Sequence, residues 1–417
     1  MSLVNTDVSA ARAAPHTAGP WAVAIAGFVS LALAMGIGRF AFTPLLPMML
    51  HDGTVTLAEG GALATLNYIG YLLGALLCLF IRPDPVRMVR VSLVLTVVLT
   101  LAMALPGGMP AWLAWRTIAG IASALVMVYA TAWCMERLAE LGHPTLGGLI
   151  FCGPGVGIVV TGLSAFGMVG AHWLANWGWI AFTVLGVLML APVWRVFGAP
   201  PPRAAKAGSA GSAGPAEVAA PTPRTPRLDL ETWALTVAYG LAGFGYIITA
   251  TFLPVIARQA MPGTAWADLF WPILGVGVAV GAFLVTRLGM HHDNRRMAAI
   301  LYMLQAIGVA VAAFWPTVAG FALSSLLVGL PFTALVSFLM REARRLWGAA
   351  APKLIGLMTA AYALGQIAGP PLATTLVART GGFAASLATA AAALLVGAGI
   401  LGWMVRAMPV QDAAASR

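Results

Sequence analysis

Apolar residues run along this chain in blocks of roughly twenty, each closed by a short polar or basic stretch. About twenty residues at 1.5 Å each cross a ~30 Å hydrocarbon core. The blocks predict twelve transmembrane helices, at 22–48, 58–81, 88–106, 110–134, 146–170, 173–196, 231–256, 266–288, 297–315, 317–340, 354–377 and 383–406, with the tightest connections at Pro106 to Pro110 and at Pro316. An even count puts both termini on one side. If that side is the inside, the outer loops keep only Arg258 and Arg379 as basic residues, and Arg39 and Arg116 fall within spans. The positive-inside rule then predicts cytoplasmic termini in a cell inner (plasma) membrane. No charged n-region precedes Pro20, so the first span is expected to be its own targeting signal.

The pattern divides the chain into a tail at 1–21, a six-helix bundle at 22–197, a linker at 198–228, a second six-helix bundle at 229–407 and a tail at 408–417. The linker is rich in Ala, Pro, Gly and Ser without apolar periodicity, which predicts disorder. The bundles carry traces of a repeat. Gly36-Ile37-Gly38 with Leu46-Pro47 recurs 207 residues later as Gly243-Phe244-Gly245 with Leu253-Pro254, and Gly70 and Gly74-Ala75 fall on Gly277 and Gly281-Ala282. Gly153-Pro154 has a looser counterpart in Gly369-Pro370. Parallel repeats related by an axis normal to the membrane predict this arrangement.

Composition agrees. With 60% hydrophobic and 9% charged residues over 417 positions, and a mean hydropathy of +0.91, a soluble protein is excluded. The net charge of +10 sits in short loops rather than on a basic stripe interleaved with aromatics, so no nucleic-acid partner is expected. Cys78, Cys134 and Cys152 read as small buried hydrophobes. His291-His292 lack further ligands at metal-binding spacing; neither a metal nor a cofactor is expected. With no P-loop and no clustered His/Asp/Glu constellation, neither direct ATP drive nor an enzyme is expected. A sensor would need an output module that tails and linker are too short to form.

Several short motifs resemble those of the major facilitator superfamily, over nearly all of the chain outside linker and tails. The loop Arg82-Pro83-Asp84-Pro85-Val86-Arg87-Met88-Val89-Arg90 is similar to a degenerate form of the family's cytoplasmic loop motif. Arg116-Thr117-Ile118-Ala119-Gly120 with Ala124 resembles its fourth-span motif, and Gly153-Pro154-Gly155-Val156-Gly157 its antiporter motif, with Ile158 replacing the last glycine. The stretch from Met35 to Pro47, with Asn67-Tyr68-Ile69-Gly70-Tyr71, looks most like the YbfB/YjiJ-like branch. The resemblance implies an all-α integral membrane protein of twelve helices in two pseudo-symmetric bundles. It also implies a cavity lined by spans 1, 4, 7 and 10, alternating access, and proton coupling. Asp84, Arg87 and Arg90 would latch one face, and Gly153 and Pro154 would let the halves rock.

The chemistry centres on Arg39. A guanidinium in hydrocarbon costs at least ~2.5 kcal/mol and must find a partner. Asn67 and Arg116 fall at similar depth, while no Asp or Glu lies deep in any span. A bound organic anion would complete the two arginines through bidentate contacts. Alternatively, Glu59 or carbonyls freed near Gly36 and Pro44 satisfy Arg39, leaving room for a neutral or cationic substrate. Tyr246, the repeat equivalent of Arg39, joins Tyr362 and Gln366 as a substrate-binding candidate, and Glu59 is a coupling candidate. The expectation is a monomeric secondary transporter in the lipid bilayer, exporting a small molecule, with protons as the coupling partner.

Overall fold

The computed structural model describes residues 18–81, 83–197, 228–287 and 293–408, and among these there are helices and no strands. The helices are α1 (Pro20–Leu31), α2 (Phe42–His51), α3 (Leu57–Phe80), α4 (Pro85–Ala102), α5 (Gly108–Glu140), α6 (Gly147–Ile150) and α7 (Gly153–Gly170). They continue as α8 (Ala175–Val196), α9 (Leu230–Ala260), α10 (Phe270–Arg287), α11 (Asn294–Phe314), α12 (Val318–Trp347), α13 (Ala351–Thr380) and α14 (Ala384–Ala407). Eleven helical stretches among the described residues are long and apolar enough to cross a membrane. The predicted eleventh span coincides with α13, which runs 30 residues but is less apolar because it carries Lys353, Tyr362 and Gln366. The 198–228 linker, apart from Leu228, and His291-His292 lie outside the described residues.

Two boundaries differ from expectation for a physical reason. α5 continues to Glu140 and α12 to Trp347, well past the apolar blocks. Helix geometry does not stop at the hydrocarbon edge; only the apolar pattern does. The first span differs in kind. It runs from Pro20 to His51 but is interrupted by a π-helical turn at Ala32–Ile37 and a non-helical turn before α2.

Glycines set the packing. A Cβ on Gly70 would lie 1.9 Å from the Thr117 carbonyl oxygen, and one on Gly120 would lie 2.1 Å from that of Asn67, so α3 and α5 touch backbone to backbone. Both faces of α7 are used in the same way. Gly153 and Gly157 abut Phe28 and Gly36 of the first span, while Gly155 abuts Gly275 and Ala279 of α10, in the other half. Thr43 Oγ1 donates to the Ala250 carbonyl at 2.9 Å, and these residues are 207 positions apart. Repeat-equivalent residues meet where a pseudo-twofold axis would pass.

At the end where the helices of the second half begin and finish, a charge cluster is sealed inside. Arg295 is fully buried and meets Glu231 at 3.3 Å, Asp293 at 2.9 Å and Glu342 at 3.4 Å. It also donates to the carbonyls of Met404 and Met408. Arg345 joins Glu231 and Glu342 at 2.8 and 2.7 Å. The cluster ties the starts of α9 and α11 to the ends of α12 and α14. Burial raises the Asp293 carboxyl pKa, but hydrogen bonds from Arg295 and the Arg295 and Arg345 charges outweigh it, leaving the pKa below the ordinary value.

Gly70→Ala is expected to lose about 1–3 kcal/mol through overpacking, whereas Gly356→Ala, with nothing within 4 Å, leaves stability level or better. Arg295→Met strands buried carboxylates and is expected to lose about 3–5 kcal/mol. Denaturant melts of the detergent-solubilised protein followed by helical circular dichroism measure all three.

Candidate functional site

A helix opened inside a membrane leaves carbonyls that lipid cannot satisfy, so protein must. In the first span the π turn is closed by Gly38 N–H to Leu33 at 3.0 Å and Phe40 N–H to Met35 at 2.9 Å. Three further acceptors are approached from α5. Ser123 Oγ lies 3.0 Å from the Ala34 carbonyl. The Arg116 guanidinium donates at 3.3 Å to each of the Gly38 and Arg39 carbonyls. Arg116 and Ser123 are seven residues apart, two helical turns on one face. Asn67 Nδ2 in turn donates to the Arg116 carbonyl at 2.9 Å, binding α3 into the same arrangement. Arg116 therefore forks onto backbone oxygens and rests 4.8 Å above the Phe42 ring. It does not face Arg39 across open space.

Arg39 is 4% exposed and lies twelve residues before His51, roughly 18 Å along a helical path. That is deeper than the apolar blocks suggested. Its Nε and Nη2 have no hydrogen-bond partner. Aromatic rings surround it instead: Tyr71 at 4.3 Å, Tyr68 at 5.0 Å and Phe40 at 5.4 Å from the guanidinium carbon. Both internal partners named above are engaged elsewhere. Glu59 accepts from the Thr56 N–H at 2.7 Å and hydroxyl at 2.9 Å in a capping box at the start of α3, and the Gly38 and Arg39 carbonyls belong to Arg116.

The second half presents a matching aromatic wall. Tyr246 sits edge-on to Phe332 at 4.8 Å and stacks on Tyr362 at 5.9 Å, which stacks on Tyr239 at 4.6 Å. Gln366 Nε2 donates to the Tyr246 hydroxyl, leaving Gln366 Oε1 unpaired alongside Thr249 Oγ1 and Trp271 Nε1. Tyr68 bridges the halves through Thr251 Oγ1 at 2.8 Å, and Phe40 meets Trp271 at 6.0 Å. Tyr68 and Tyr71 thus flank Arg39 in the first half, while Tyr239, Tyr246 and Tyr362 form one stacked group in the second.

Tyr246, Tyr362 and Gln366 come together in the second half, Phe40, the neighbour of Arg39, lines one small cavity with Tyr246 and Trp271, and Arg116 and Asn67 support the turn that carries Arg39. Asp84, Arg87 and Arg90 do not join them. Asp84 caps α4 by accepting from the Val86 and Arg87 N–H groups at 3.3 Å each, and Arg90 donates to the Trp194 carbonyl at 2.8 Å within the same half. Glu59 stays at its cap, and Gly153 and Pro154 open α7 beside the first span. The packing of Phe40, Tyr68 and Tyr71 on Arg39 goes beyond the sequence expectations; its signal in the sequence is the density of aromatics around positions 39 and 67.

Long apolar helices enclosing a buried polar centre, in two halves related by a repeat, define a multi-pass membrane protein. A family model described as an uncharacterised MFS-type transporter YbfB matches residues 31–402, and the chain belongs to that family. It is a multi-pass membrane protein of the MFS secondary-transporter type. A comparison with curated proteins returns no match.

Arg116→Ala is expected to destabilise by on the order of 2 kcal/mol, because it strips a charged donor from two buried carbonyls. Arg39→Met removes an unpaired buried charge and should leave the melting temperature level or higher. Parallel thermal melts in one detergent read the contrast.

Proposed function

We propose that this transporter moves a small organic anion with an apolar or aromatic body, by alternating access, and that Arg39 holds the anionic group. The observation that carries this reading is the Arg39 guanidinium, 4% exposed, with Nε and Nη2 lacking any hydrogen bond and aromatic rings packed about it. A planar fork with free donors suits a carboxylate, sulfonate or phosphate. The wall of Tyr246, Tyr362 and Phe332 suits the body, and Gln366 Oε1, Thr249 and Trp271 Nε1 offer it polar contacts. A cation as cargo is disfavoured beside an uncompensated guanidinium.

Export is the proposed direction, supported by the resemblance of the Gly153 to Gly157 stretch to the antiporter motif and by its position between the first span and α10. For proton coupling, Asp52, Glu59 and Asp268 are each bound into local structure, by the Ala175 N–H, the Thr56 cap and Arg258 respectively. The proposed proton carrier is therefore the acidic group of the cargo.

The test uses proteoliposomes with aromatic carboxylates, aliphatic carboxylates, organic cations and neutral analogues, each across a pH series. Saturable flux of carboxylates is expected, with Arg39→Ala lowering apparent affinity about 10- to 100-fold, the equivalent of losing a charge-assisted pair. Carboxylate flux unchanged in Arg39→Ala would overturn the anion reading, and so would saturable flux of cations alone.

A further inference from the structure

Away from the centre, α4 and α8 leave an open groove of about 490 Å³ on the outer surface of the bundle. Its apolar part includes Val91, Val94 and Val98 with the Trp194 ring, and these side chains are exposed at 55%, 38%, 53% and 41%. Its mouth, where α4 begins and α8 ends, carries Arg87 and Arg90. Arg90 is half-buried. Its Nη2 donates to the Trp194 carbonyl at 2.8 Å, its guanidinium carbon lies 4.6 Å from the Trp194 ring, and its buried Nε has no hydrogen-bond partner. Arg87 is exposed and makes no ion pair among the described residues. Asp84, also at the mouth, turns its carboxylate to the backbone N–H groups of Val86 and Arg87.

In a membrane such a trough is solvated by acyl chains. The run from Arg87 to Val98 is eleven residues, or roughly 16 Å along the helix, about the depth of one leaflet of a ~30 Å core. The dimensions therefore fit one chain of one lipid, with its phosphate at the mouth. Two guanidiniums against one helix-capping carboxylate leave the mouth positive, and a tryptophan at headgroup level is the usual interfacial anchor. The second half differs at the matching position. There α11 is likewise capped by an aspartate, Asp293, but of the two arginines in its first turn Arg295 is buried and neutralised by Glu231, Asp293 and Glu342, and only Arg296 is exposed. Arg87 and Arg90 have no such internal acids.

We propose that the groove between α4 and α8 binds an anionic phospholipid from the adjoining leaflet, its phosphodiester held by Arg87 and Arg90 and an acyl chain lying along Val91, Val94 and Val98. The site is separate from the Arg39 centre and does not depend on what is transported.

The experiment is native mass spectrometry and thermal melting of the full-length protein with phosphatidylglycerol, phosphatidylcholine of the same chains, or soluble glycerol phosphate. Wild type is expected to retain phosphatidylglycerol about tenfold over phosphatidylcholine and to melt higher with it, while glycerol phosphate has no effect. Arg87→Gln with Arg90→Gln should bring the two lipids to parity. Val94→Trp, which fills the trough but keeps both arginines, should lower phosphatidylglycerol retention, giving a second reading should the Gln pair misfold. Equal retention of the two lipids by wild type would overturn the proposal. So would a preference unchanged in either variant, or stabilisation by glycerol phosphate equal to that by the lipid.

Discussion

A membrane offers no hydrogen bonds to a helix that opens inside it, and this constraint organises the first half of the protein. The first span opens at Ala32–Ile37 and turns before Phe42, and α5 answers with one face, Arg116 donating to the carbonyls of Gly38 and Arg39 and the Ser123 hydroxyl shared between those of Ala119 and Ala34. For that face to reach, α5 must be held close, and the glycine contacts at Gly70 and Gly120 with the Asn67 amide hold it against α3. On the other side, Gly36 and Gly157 let α7 come against the opened turn. Glycine placement, helix opening and arginine are parts of one solution to one solvation problem.

That solution separates two arginines of similar depth. Arg116 spends both terminal nitrogens on backbone carbonyls, with Nε alone unpaired. Arg39, carried on the opened turn, has aromatic faces but no hydrogen-bond acceptor for Nε or Nη2. Cation–π contacts offset part of the desolvation of a guanidinium, on the order of 2 kcal/mol for a dry site, without using its in-plane donors. Those donors are what an anion would need.

The two halves meet where the repeat says they should, Thr43 against Ala250, yet they treat their charged ends differently. In the second half the charges are drawn inside and neutralised among four helix ends around Arg295. In the first half Arg137 pairs with a half-exposed Glu140, and Arg90 turns outward to Trp194. A pseudo-symmetric backbone thus carries one sealed end and one open to the membrane.

The sequence by itself determined the architecture. Block length and the 207-residue echo are properties of local composition, and hydrocarbon reads composition directly; hence long apolar helices stand over the apolar blocks, though some run past them. It also pointed to Arg39, because a charge in such a block is anomalous on its own. The tertiary structure decided what each polar group does. Nothing in spacing tells that Arg116 bonds to backbone rather than cargo, that Glu59 is consumed by a cap, or that Glu231, Asp293 and Glu342 converge on Arg295, since these partners are brought together by helix packing across as many as 111 positions, as for Glu231 and Glu342. Which partners met depended on backbone-to-backbone contacts at particular glycines, and only the folded chain shows those.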